Sequence, residues 1–171
     1  MNPIGLISMQ YARPFTAEHF KHFDAMKRQG FDFVELLVPE TGELDLKQTA
    51  AALRDAGLGV VLAARVNLQR NLSSDDAAAH QAGIDYLRYT ADCAAELGAT
   101  IVGGPLTGNP LVFAGRAPAP VSEDERLARK ERCVEGLKAA GDHAKKASVT
   151  LAVEPLNRFE SDVLQTTQQA M

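Results

Sequence analysis

Three glycines divide this chain into repeating units. Gly30, Gly57 and Gly98 each close a segment whose apolar residues recur at helical spacing, and each stands directly before an apolar run. Glycine enters the left-handed conformation that ends a helix without strain. Each glycine therefore marks a very short helix-to-strand connection. The runs that follow, Phe31–Leu37, Leu58–Ala64 and Ala99–Gly104, are predicted strands. Two further apolar runs, Ile4–Met9 and Val149–Val153, read the same way. A chain that keeps alternating strand and helix folds as an α/β domain with a parallel sheet and right-handed crossovers.

The helices carry their own start signals. Thr16 is placed to cap a helix with Phe20, Phe23 and Met26 on one face, and Asp45 a helix with Leu46, Ala50 and Leu53. Ser73 with Asp76, and Ser122 with Glu125, have capping-box spacing. Behind them, Ile84, Leu87, Ala91 and Ala94, then Val134, Leu137 and Ala144, are expected to face inward. Ser161 or Asp162 begins a last helix. Leu58–Ala64 is almost wholly apolar, as expected of a parallel strand covered on both faces. The loops after strands are longer and more polar than those before them, which assigns function to one end of the sheet. Alternation alone leaves a closed barrel and an open doubly wound sheet equally open.

The 171 residues suffice for one domain, and 46% hydrophobic with 23% charged residues is ordinary globular usage. A net charge of −4 without a basic block argues against a nucleic-acid backbone as partner. No apolar run is long enough to span a membrane, and Met1-Asn2-Pro3-Ile4-Gly5 has no signal-peptide character. Cys93 and Cys133 lack CxxC partners and read as reduced structural cysteines of a cytoplasmic protein.

Neither GxGxxG nor GxxxxGK[ST] occurs, which argues against a dinucleotide or P-loop site. Gly103-Gly104-Pro105 fits a close backbone packing as well as a phosphate contact. His19, His22, His80 and His143 all fall on predicted helices and read as solvated faces rather than metal ligands. Arg65 and Arg70, on the loop after the third strand, can meet an anionic substrate group. The Gly- and Pro-rich stretch Pro105–Pro120 has the length of a functional loop. Two carboxylates stand near strand ends: Glu35, and Glu154, which Pro155 follows. Glu160 lies on the same loop as Glu154. In a parallel barrel such ends converge on one mouth.

Val153-Glu154-Pro155-Leu156-Asn157-Arg158-Phe159-Glu160 resembles the fifth-strand signature of the sugar isomerase/epimerase superfamily with xylose-isomerase-like barrels. Within it the nearest likeness is to the ketose 3-epimerases of the D-tagatose or D-psicose type. Phe31–Glu35 resembles that family's second strand, and Gly83–Gly98, with Tyr86, Asp92, Cys93 and Leu97, the helix before its fourth. The resemblance runs over essentially the whole chain. It implies a (β/α)8 TIM barrel, here truncated to about five units. Eight units take about 250 residues, so residues 1–171 are expected to form one barrel domain that is incomplete at its C-terminus.

The resemblance also implies chemistry. Glu154 would be a metal ligand and one of two acid/base glutamates acting on the carbon next to a ketose carbonyl. Glu160 would hold the substrate end, and Glu35 matches a strand-end carboxylate of the family that faces the substrate. A divalent ion (Mn²⁺, Mg²⁺ or Co²⁺) would polarise the carbonyl and stabilise a cis-enediolate. The family's later aspartate, histidine and second glutamate have no counterpart here, so the fragment is expected to be inactive and to bind metal poorly. Leu6-Ile7-Ser8-Met9 stands where relatives often carry pocket aromatics, which leaves the sugar open. The readings kept beside this one are a hydroxypyruvate isomerase or inosose isomerase/dehydratase of the same superfamily, an endonuclease IV-like repair enzyme, and a non-catalytic truncated barrel. Open sheet edges permit a homo-oligomer.

Overall fold

The computed structural model describes residues 2–64, 66–108 and 121–171. Five parallel strands form one sheet in the order β1-β2-β3-β4-β5: β1 (Gly5–Ile7), β2 (Phe33–Leu37), β3 (Gly59–Ala63), β4 (Ile101–Gly104) and β5 (Thr150–Val153). Sequential neighbours pair throughout, so every crossover steps the same way round. A doubly wound sheet would reverse direction at a switch point. The order therefore decides what alternation left open, in favour of barrel winding.

The helices are α1 (Phe23–Arg28), α2 (Leu46–Ala56), α3 (Ala77–Leu97), α4 (Glu123–Lys146) and α5 (Thr167–Ala170). Gly57 and Gly98 end α2 and α3 in the left-handed conformation, at φ 67° and 80°. Asp45 caps α2, accepting from the Gln48 N–H at 2.9 Å. Helix starts differ from expectation in three places. A 3₁₀ turn, Ala17–His22, precedes α1, and the Thr16 N–H donates to His19 Nδ1. α3 begins at Ala77 under Asp76, because Ser73 is buried and its hydroxyl donates to Asn71 Oδ1. α5 begins at Thr167 under Thr166, since residues 161–164 turn inward and bury Ser161, Val163 and Leu164. In α4 the inward residues are Cys133, Gly136, Ala140 and Ala144, while Val134 is 42% exposed.

The sheet has two unlike faces. Val34, Leu36, Leu62 and Val102 are fully buried against the helices. Their neighbours of opposite parity, Glu35, Leu37, Val61, Ala63 and Gly103, are only half-buried. The register aligns Ile7, Glu35 and Val61 in one row, and Leu37, Ala63, Gly103 and Ala152 in the next. β3 is thus apolar on both faces, but only its outer face is covered. Gly104 adopts φ +120°, and a Cβ there would meet the Ala64 carbonyl at 3.0 Å, so Gly103-Gly104 serves close packing of β3 on β4.

Candidate active site

The inner face floors a cavity of about 900 Å³. Ile7, Leu37, Ala63 and Gly103 form the floor, and small residues keep it open. Its walls come from the chain leaving the C-terminal ends of β1 to β5: Met9 and Arg13, then Glu40, then Val66 to Arg70, then Pro105, then Glu154. The longer post-strand loops therefore do gather on one opening.

Glu154 reaches this cavity by a local rule. Its N–H donates to the Gly104 carbonyl at 2.9 Å, one rung beyond β5. Pro155 has no N–H and stops the ladder there. Glu154 shares parity with Ala152, which the register places on the inner face. Glu35, the central residue of β2, lines the same cavity. Burial pushes the Glu35 carboxyl above its ordinary range, and the charge of Glu154 adds to the shift. The structure thus brings these two predicted site residues together. Glu160 stands apart from the cavity lining: its Oε2 accepts from Asn157 Nδ2 at 2.6 Å within the turn after β5.

Arg70 enters the cavity wall already matched. Its two terminal nitrogens grip Glu40 at 2.7 and 3.2 Å, and its guanidinium lies 3.9 Å over the Tyr86 ring. Glu40 is a site residue that the sequence reading passed over. Its position three residues past a strand, beside Pro39, was the available signal. The turn carrying Arg70 is braced by its own hydrogen bonds: Asn67 and Arg70 pair across it, and Asn67 Oδ1 accepts from Gln69 N–H and Arg70 N–H. Arg65 lies outside the described residues, as does 109–120 of the loop expected to be functional.

Two of the histidines hold other posts. His80 Nδ1 contacts the Leu72 carbonyl at 2.9 Å, and His143 Nε2 contacts Asp92 at 2.7 Å. Among the described residues, no three His, Cys, Asp or Glu side chains gather where a metal could sit. A hard divalent cation takes about six oxygen-rich ligands, so these residues do not by themselves build its site.

Known proteins share this fold. A family model described as xylose isomerase-like TIM barrel matches residues 23–171. An L-ribulose 3-epimerase of Mesorhizobium japonicum is 29% identical over 100% of this chain and 55% of its own length. A D-psicose 3-epimerase of Agrobacterium fabrum is 26% identical over 98% of this chain and 57% of its own. A solved L-ribulose 3-epimerase superposes with a TM-score of 0.86 at 29% identity, covering 99% of this chain and 55% of that one. The chain thus spans little more than half the length of the curated relatives it matches.

Proposed function

The chain belongs to the xylose isomerase-like TIM barrel family, and from that premise we propose that the whole protein is a ketose 3-epimerase. It would invert the carbon next to a ketose carbonyl by taking a proton from it and returning one on the other face. The observation that carries this reading is Glu154, an acid at a strand end, aimed into an apolar-floored cavity beside Glu35. Relatives named as 3-epimerases of D-psicose and L-ribulose support it.

In this proposal Glu154 removes or returns the proton, through a cis-enediolate. Glu35, its carboxyl pushed upward by burial and then by the charge of Glu154, faces the substrate. Glu160, outside the described cavity lining, would help hold the substrate end by a hydrogen bond, exchanging the Asn157 amide for a substrate hydroxyl. In the whole protein Glu154 would also be one ligand of a Mn²⁺, Mg²⁺ or Co²⁺ ion, which would polarise the substrate carbonyl. Among the described lining residues Arg13 and Arg70 stand against Glu35, Glu40 and Glu154, and Arg70 is already matched by Glu40, so these walls offer no surplus of positive charge to hold a phosphate. A free ketose suits them. The two buried free cysteines suit a reducing, cytoplasmic setting.

Solvent-deuterium incorporation at C3 of fructose, tagatose and related ketoses tests the reading. Glu154→Gln should lower incorporation by about 10²- to 10⁴-fold while leaving the fold intact by circular dichroism. Turnover by the variant at the wild-type rate would remove Glu154 from the chemistry.

A further inference from the structure

Outside the cavity wall, four charged side chains join segments that neither the sheet nor the helix ladder connects. Arg129, in the second turn of α4, donates from Nε to Glu125 at 2.9 Å and from Nη1 to Asp162 at 2.6 Å. Arg132 donates from Nη2 to the same Glu125 oxygen at 3.0 Å and from Nε to the Ser73 carbonyl at 2.9 Å. Ser73 belongs to the loop between β3 and α3 that carries Arg70, and Asp162 to the loop that begins at Glu154. One helix thus grips two loops of the cavity mouth.

The loop after β5 needs such a grip. Its backbone closes on itself through Leu156 N–H to the Leu164 carbonyl at 3.0 Å, and through the Asn157–Ser161 turn. From α4, Arg129 takes hold of it through an ion pair to Asp162. Exposed ion pairs add little to stability. The Arg129–Asp162 pair is largely covered, its side chains 22% and 14% exposed, while Arg132 is 24% and Glu125 36% exposed. A planar guanidinium held at two points fixes direction as well as distance. Arg129 first, then Arg132, also holds the Glu125 carboxyl below its ordinary range.

We propose that Glu125, Arg129, Arg132 and Asp162 form a rim clamp that holds the loops after β3 and β5 in the relative placement that sets Glu154 against its substrate. Arg129 and Asp162 are then positioning residues for the proton transfer. The proposal rests on the epimerase reading for its catalytic consequence and on geometry alone for the clamp.

The test uses Arg129→Met, Asp162→Asn and the double variant in the whole protein, with two readouts. Amide exchange over Leu156–Leu164 should quicken in each variant. Under conditions where circular dichroism shows each variant fully folded, kcat should fall by roughly tenfold to a hundredfold, with KM changing much less. The double variant should be no worse than the worse single, because both singles break one contact. Wild-type kcat in both singles overturns the proposal, as do additive losses or unchanged exchange over Leu156–Leu164. If the wild-type protein turns over no ketose, the epimerase reading falls. The clamp is then decided by the exchange data alone: faster exchange upholds it and unchanged exchange overturns it.

Discussion

Glu35 shows how far a single residue's chemistry depends on its surroundings. In the sequence it is an acid inside an apolar strand. In the structure it faces a cavity, and burial together with Glu154 pushes its carboxyl above the ordinary range. The direction fixes a pH dependence. The folded chain keeps this proton at pH values where the unfolded chain has released it, so the wild type loses stability as pH rises through the folded value. Glu35→Gln has no such loss. In chelator-containing buffer, its urea midpoint should gain on the wild type as pH rises above about 4. Parallel profiles would show that Glu35 is unstrained by its neighbours. Glu154 was legible in the sequence because an acid between an apolar run and a proline must sit where a strand ends. The Glu40–Arg70 pair was not, since its partners are 30 residues apart and only the fold makes them neighbours.

At the scale of elements, α3 and α4 meet around Leu72, which is fully buried. Both helices offer it a glycine: a Cβ on Gly83 would lie 3.0 Å from Leu72 Cδ2, and one on Gly136 would lie 2.7 Å from it. Gly141, on the same helix α4, would meet nothing within 4 Å. The two glycines should therefore respond oppositely to alanine. Gly141→Ala should stabilise by about 0.5–1 kcal/mol through helix propensity. Gly136→Ala has the same propensity gain but overpacks Leu72 at a cost of about 1–3 kcal/mol, leaving a net loss of about 1 kcal/mol. Urea midpoints of the two variants check this, and a stabilised Gly136→Ala would remove Leu72 from its role as spacer. The helix ends at Gly57 and Gly98 were readable because a left-handed cap is a one-residue signal. The inward face of α4 was misassigned by one position, Val134 for Cys133. Its long polar run blurs the apolar stripe, and its packing there uses glycine and alanine, which carry little hydrophobic signal.

For the whole molecule, the described sheet leaves β1 and β5 with unpaired edges and an inner face that no second layer covers. Exposed edges of this kind invite pairing. A preparation of these 171 residues alone should self-associate with rising concentration in sedimentation velocity, and should turn over no ketose. A monomer that epimerises any ketose would contradict both the edge argument and the need for further site residues. What the sequence determined by itself was the alternation of strands and helices, the caps, the parallel sheet and a strand-end acid. Periodicity and chain-breaking chemistry act over a few residues and leave their mark there. What only the tertiary structure decided was the direction of winding, the meeting of Glu35 with Glu154 in one cavity, the Arg70–Glu40 pair and the rim clamp. Those depend on which strands become neighbours and in what register, and contacts between residues far apart in the chain carry no local signature.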